Sequence, residues 1–322
     1  MSNAPAATRK QRVVKRLVML TVLLTVATVC AACANFYWFL ELFTHFVPWY
    51  TGFALLLAAG QAFAREWRWA SVAAALTLWH GFALVSYLMP GSGPPAGNGR
   101  LTVFHYNAYL HHNEPHRISA YLRREKAVDV VVLLEASPRF GGVLAALKET
   151  HPYQITSLED SPFGIAVASR VPIDYGAISR QPAGYPWIEL TLKLPVRTVP
   201  IALYAIHPPP PVNAELAAAR DETLMFIAGK AAAKPAATPI VVGDFNVTPW
   251  SPAFTRFEKV SGLKPAHAPW RMDNTWPVTF NNANLGIAID HSFAHPSLTL
   301  IKRVVGPDLG SDHMPVTVTY AY

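Results

Sequence analysis

The chain has 322 residues, 52% of them apolar and only 15% charged, which excludes a disordered, highly charged polypeptide. Nearly all of its +7 net charge sits in the first 100 residues, which hold 8 Lys/Arg against 2 Asp/Glu, while the remaining 222 hold 19 against 18. That balance weakens a nucleic-acid-binding reading of the larger part, and two cysteines in the whole chain exclude a disulfide-framed domain.

Residues 1–16 form a basic tail carrying Arg9, Lys10, Arg12, Lys15 and Arg16. Residues 17–89 then read as a transmembrane region of about three helices. Apolar runs extend from Leu17 to about Leu40, from Phe46 to Ala64 and from Trp69 to Met89, each near the 20 residues that a bilayer crossing needs. Two further apolar spans argue against a cleaved signal peptide at the first. Pro48, with Glu41 and His45 before it, keeps a re-entrant second segment open. Tyr37, Trp38, Trp49, Tyr50, Trp67 and Trp69 cluster at run ends, as interfacial aromatics do. The basic tail and Arg65/Arg68 both fall on the cytoplasmic side by the positive-inside rule, so three crossings place residue 90 onward outside the cytoplasm. In a two-membrane bacterium this is an inner-membrane protein with its larger domain in the periplasm. Cys30 and Cys33 lie inside the first span, where small apolar packing is the expected use. Residues 90–100, rich in Pro and Gly, read as a linker.

Residues 101–322 are long enough for one domain with a full core. Strand-like apolar runs fall near 101–107, 128–134, 163–169, 187–194, 199–206, 239–243, 289–294, 299–305 and 314–320. Helical stretches fall near 115–126, 138–149, 213–233 and 251–259, the third with Asn213 as an N-cap. Many of the strands end in polar residues. Phe104-His-Tyr-Asn107 closes on an amide, Val128-Asp-Val-Val-Val-Leu-Leu-Glu135 on a carboxylate, and Tyr204-Ala-Ile-His207 on an imidazole ahead of four prolines. Pro239-Ile-Val-Val-Gly-Asp-Phe-Asn-Val-Thr-Pro249 runs into a turn with Asp244 and Asn246 two residues apart, aimed to one side. Asp290 opens another strand, and Gly310-Ser-Asp-His-Met-Pro315 sets Asp312 and His313 before the last. In α/β sheets, strand ends and the loops that follow are where sites are built. Oxygen donors of this kind suit a hard cation such as Mg²⁺ or Mn²⁺.

The ordered set Asn107, Asp129…Glu135, Gly164-Ile-Ala-Val-Ala-Ser-Arg170, His207, Gly243-Asp-Phe-Asn246, Asp290 and Ser311-Asp-His313 resembles the endonuclease/exonuclease/phosphatase superfamily over residues 101–322. The resemblance implies an α/β four-layer sandwich, two packed mixed β-sheets flanked by helices. It implies Glu135, Asn107 and Asp312 as metal ligands, and Asn246 and Asn107 as phosphate contacts. His313 is then the general base, Asp290 the carboxylate that fixes its tautomer, Asp244 the group that orients water or holds metal, and His207 a donor to the phosphoryl or leaving-group oxygen.

The expected function is a membrane-anchored, divalent-metal-dependent phosphoesterase using activated water, on a lipid headgroup or small phosphoester. A periplasmic nuclease and a non-catalytic membrane scaffold on the same fold are the alternatives. His105 reads as a pocket or core histidine, while His111, His112 and His116 read as a solvated loop. His291 and His295 have no expected role. Tyr185, Trp187, Trp250, Trp270 and Trp276 read as core, with stacking on a base or an acyl group the other use.

Overall fold

A computed structural model of the chain describes residues 8–89, 97–112, 114–195, 197–233, 236–278 and 285–322. Most of the expected linker, 90–96, and the first seven residues of the basic tail lie outside these. The chain divides into two compact units, Met1–Met89 with Trp250–Pro252, and Pro90–Pro249 with Ala253–Tyr322.

The first unit is helical. Helix α1 (Arg9–Ala32) starts on a capping box in which Thr8 and Gln11 satisfy each other's backbone N–H groups. It begins and ends about eight residues earlier than the apolar run suggests, because the cap sits at Thr8 and the chain turns at Cys33. A short α2 (Trp38–Glu41) and a 3₁₀ turn lead into α3 (Val47–Phe63). Pro48 stands in the first turn of α3, where its missing N–H breaks no helical bond. Helix α4 (Trp67–Leu88) follows. Three stretches, Arg9–Ala32, Trp38–Phe63 and Trp67–Leu88, are long and apolar enough to cross a membrane. Leu24, Ala54, Leu57, Ala73 and Leu76 pack between the helices. Polar links join them as well: Gln61 Nε2 donates to Thr21 Oγ1 at 2.8 Å, and Thr28 Oγ1 meets His80 Nε2 at 2.9 Å. Outward-facing Leu56, Phe63, Leu78 and Phe82 are largely exposed, the pattern of helices whose surroundings are apolar.

The second unit has, among the described residues, two six-stranded mixed sheets. Its elements run β1 (Arg100–Asn107), α5 (His116–Arg124), β2 (Val130–Leu134), α6 (Gly141–Leu147), β3 (Tyr153–Ser157), β4 (Ile165–Ser169), β5 (Ile173–Ser179), β6 (Trp187–Leu192), β7 (Ile201–Ile206), α7 (Ala214–Ala232), β8 (Thr238–Asp244), α8 (Pro252–Ser261), β9 (Lys264–Pro265), β10 (Asp290–Ala294), β11 (Thr299–Val305) and β12 (Val316–Ala321). The sheet orders are β11-β12-β1-β2-β4-β3 and β5-β6-β7-β8-β10-β9.

Alternation along the strands builds the layers. Val130, Val132 and Leu134 face the other sheet, against Leu203 and Val242, while Val131 and Leu133 face outward onto Ile118, Leu122, Val143 and Leu147 of α5 and α6. A strand buried on both faces reads as a continuous apolar run, as β2 does. Outside the second sheet, Phe245, Phe254, Phe257 and Phe293 form an aromatic cluster with ring centroids about 5 Å apart.

Candidate active site

Strand pairing brings the polar ends together. Parallel pairing of β1 with β2 sets Asn107 beside Leu134, so Glu135 follows at the same sheet end. Parallel pairing of β7 with β8 sets Ile206 beside Gly243, so His207 and Asp244 emerge together. Antiparallel β10 places Asp290 directly opposite Asp244. Antiparallel β12 pairs His105 with Val316, which carries the preceding Ser311–Met314 turn past the end of β1. Ser311 pins that turn, its Oγ donating to the Asn107 carbonyl at 2.8 Å and its N–H to the Tyr106 hydroxyl oxygen at 3.2 Å.

Local backbone geometry sharpens the aim. Gly243 has φ +145°, and a Cβ there would lie 1.9 Å from the Ile206 carbonyl oxygen, so only glycine lets β8 approach β7 this closely. Glu135 and Asn246 occupy the left-handed region at φ +54° and +52°. Non-glycine residues there carry strain of order 1–3 kcal/mol and concentrate at functional sites. Asn246 is held by its side chain donating to the Pro208 carbonyl at 3.0 Å and its N–H to Asp244 Oδ1 at 2.9 Å.

Asn107 lies at the hub. Its Nδ2 faces Glu135 Oε1 at 3.1 Å, Asp244 Oδ2 at 3.2 Å and His313 Nε2 at 3.4 Å, while Oδ1 accepts the Tyr109 N–H at 3.2 Å. His313 Nδ1 meets Asp290 Oδ2 at 2.8 Å. Asp244 Oδ2 stands between two imidazoles, 3.6 Å from His207 Nε2 and 3.7 Å from His313 Nε2. Asp312 accepts from Trp276 Nε1 at 3.0 Å and from Ser311 Oγ at 3.3 Å.

Burial raises the Asp244 carboxyl to about 6, and the nearby Asp290 charge adds to this against the pull of His313 and His207. Burial also opposes ionisation of Asp290, but the His313 imidazolium outweighs it and holds Asp290 below the usual carboxylate range. For His313, burial disfavours the charged ring. The Asp290 carboxylate and its hydrogen bond, then Asp244 and Asp312, overcome that and raise the ring to about 9.

Donors for a cation fall into two sets. Atoms of Asp244, Asp290 and His313 all lie within 4.8 Å of one another. Within this set His313 Nδ1 and Asp290 Oδ2 are committed to each other. Glu135, only partly buried, has its oxygens engaged among the described residues solely by the Asn107 amide and the Leu110 N–H at 2.9 Å. Carboxylate and amide oxygen chemistry fits a hard divalent ion.

Every expected site residue therefore sits at this one end of the two sheets. Other expectations change. His112 is buried, its Nε2 against the Leu309 carbonyl at 2.9 Å and its Nδ1 accepting the Glu114 N–H, and does not belong to a solvated loop. His105 is a core residue, its Nε2 3.2 Å from Ser292 Oγ, and burial depresses it to about 3. Trp270 is 62% exposed and not core. Ser311 and Trp276 contact the site residues, a role that the sequence reading does not give them. Ser311 has a signal, since it opens the Ser-Asp-His turn, whereas Trp276 reads as core and is instead a hydrogen-bond donor to Asp312.

Residues 104–313 match the Endonuclease/Exonuclease/phosphatase family. The chain belongs to this family. Its members are metal-dependent hydrolases of phosphodiester bonds, and this chain is such a hydrolase by membership. An endonuclease/exonuclease/phosphatase protein of Beutenbergia cavernae has the same fold, at 20% identity, TM-score 0.53, covering 69% of this chain and 71% of that one. So does sphingomyelinase C of Streptomyces griseocarneus, at 19% identity, TM-score 0.51, covering 70% and 100%. TDP2 of D. rerio, in a complex with single-strand DNA product, does so at 16% identity, TM-score 0.58, covering 70% and 100%. No curated protein sequence matches the chain.

Proposed function

We propose that this protein is a membrane-anchored phosphoesterase that attacks a lipid-headgroup or small phosphoester with water, its catalytic domain on the periplasmic side of the inner membrane. The observation that carries the reading is the buried Asp244 carboxylate between the His207 and His313 imidazoles, with His313 clasped by Asp290 at 2.8 Å.

Asp290 fixes the tautomer and orientation of His313 through Nδ1 and leaves Nε2 facing the site. Held near 9, His313 keeps its proton at neutral pH and acts as a cation toward the phosphoryl oxygens. Asp244, held near 6, is then the group ionised at neutral pH and able to take the proton of the attacking water. This exchanges the roles that the sequence alone suggests for His313 and Asp244. Asn246 and Asn107 donate amide hydrogens to phosphate oxygens, and His207 donates to the phosphoryl or leaving-group oxygen. Glu135, with Asn107 and Asp312, would hold Mg²⁺ or Mn²⁺. A bound divalent ion neutralises charge developing on the phosphoryl group.

The near-neutral charge of residues 101–322 disfavours a nuclease, and the intact polar set disfavours a scaffold. The test is hydrolysis of bis-p-nitrophenyl phosphate by the full chain. Activity should disappear with chelator and return with Mg²⁺ or Mn²⁺, while Glu135→Gln should not recover. Full recovery of Glu135→Gln at saturating metal would remove Glu135 as a ligand.

A further inference from the structure

Beside His207, two loops of the catalytic unit meet. One precedes β4 and carries Phe163; the other joins β5 to β6 and carries Tyr185. The two rings pack at 4.5 Å between centroids, tilted 57°, and Phe163 lies 6.0 Å from the His207 ring. The loops are tied together: Arg180 forms an ion pair with Glu159 and donates to the Gly184 carbonyl at 3.4 Å. Ser157 and Ser161 also donate to the Glu159 carboxylate, at 3.1 and 3.0 Å. Gly164 sets the first loop against the Glu135 strand, since a Cβ there would lie 2.2 Å from the Ala136 carbonyl oxygen. His207 Nδ1 has no hydrogen-bond partner among the described residues.

An aromatic pair fixed in this way, half-buried at the edge of a polar site, is more than a loop ornament. Four side chains hold it in place, and it faces the imidazole that would touch the substrate. From this geometry we infer that Phe163 and Tyr185 form a subsite for an apolar, chain-like ester substituent of the substrate, such as the hydrocarbon part of a lipid phosphoester. The inference rests on the phosphoesterase reading above and names the substrate class of that same site. Two features favour a hydrocarbon over a nucleobase. Rings 4.5 Å apart leave no slot for a base to stack between them. The loop's arginine, Arg180, is already paired with the Glu159 carboxylate, which lowers its pull on a phosphate chain.

The full chain, kept soluble in amphipol with Mg²⁺ or Mn²⁺, is assayed on p-nitrophenyl phosphodiesters whose second ester is methyl, hexyl or thymidine-5′. All three release the same nitrophenolate. Wild type should prefer hexyl to methyl. Phe163→Ala and Tyr185→Ala should lower the hexyl-to-methyl ratio of kcat/KM by at least ~10-fold, mainly through KM, because they remove apolar surface from binding. Arg180→Gln, which unties the loops, should lower the ratio in the same direction. Phe163→Leu should restore most of it, and also serves if Phe163→Ala does not fold by circular dichroism. An unchanged ratio in all variants overturns the subsite alone. A thymidine preference that only aromatic residues sustain overturns it in favour of base stacking. Absence of nitrophenolate from all three esters overturns the phosphoesterase reading, and the subsite with it.

Discussion

At the scale of single residues, protonation states decide the chemistry. With Asp244 near 6 and His313 near 9, the form carrying ionised Asp244 and protonated His313 dominates between those values. Asp244 loses its competence as pH falls through its value, because it gains a proton. His313 loses its charge as pH rises through its own. The profile of kcat/KM should therefore be bell-shaped, with apparent limits belonging to the coupled pair. A bound divalent cation draws both limits to lower pH without removing either. Asp290→Asn removes the carboxylate that sustains the imidazolium, so the upper limit should move down and the rate should fall at least ~10²-fold. A profile that only rises to a plateau at high pH would instead make neutral His313 the base. If Asp290 acts through His313, then Asp290→Asn/His313→Ala should be little slower than His313→Ala alone, since residues working as one unit are not additive. The residues themselves were legible: Asn107, Glu135, His207, Asp244, Asn246, Asp290, Asp312 and His313 each mark a strand end or the turn before a strand. Their charges were not, because burial and the 2.8 Å Asp290–His313 contact that set them come from pairing strands far apart in sequence.

At the scale of elements, every long buried strand is marked in the sequence, and of the partly exposed edge strands only β11 is. β1, β2, β4, β6, β7, β8, β10 and β12 carry apolar runs or alternation that water-facing segments lack. Besides the two-residue β9, the sequence leaves two longer strands unmarked, β3 and β5. Each lies at a sheet edge, is only partly buried, and mixes Gln, Thr, Asp and Gly with its apolar residues. Their strand character comes from pairing with β4 and β6. Helix α7 was legible to its cap, since the Asn213 side chain accepts the Leu216 N–H at 2.8 Å. The β7–β8 contact is the element-level feature most exposed to a single change. In Gly243→Ala the new methyl would meet the Ile206 carbonyl, and alanine would sit at a φ it rarely adopts. The expected cost is about 1–3 kcal/mol from the backbone conformation alone, with more from the clash. Because β7 and β8 deliver His207 and Asp244, activity should fall further than the loss in melting temperature implies. A Gly243→Ala protein with wild-type melting temperature and rate would show that this contact does not position the site.

At the scale of the whole molecule, a membrane anchor would decide which substrates the enzyme can meet. Among the described residues three helical stretches are long and apolar enough to cross, and three crossings would put residue 97 onward on the face opposite Arg9. Arg9, Lys10, Arg12, Lys15 and Arg16 lie in the first turns of α1, and Arg65 and Arg68 flank the α3–α4 turn. Basic residues at span ends remain on the cytoplasmic face. Two crossings between those clusters would return the chain to the same face, which makes the charge pattern consistent with three spans. A second stretch that only dipped into the bilayer would put Arg65 and Arg68 on the far side, against that rule. Alkaline phosphatase fused after Gly99 should therefore be active, and a fluorescent protein fused at Trp67 should be fluorescent, in cells where the reverse fusions are silent. A silent phosphatase after Gly99 with fluorescence from the same position would mean an even number of crossings. The catalytic unit would then work on the cytoplasmic pool of phosphoesters, and the lipid leaflet within its reach would be the inner one.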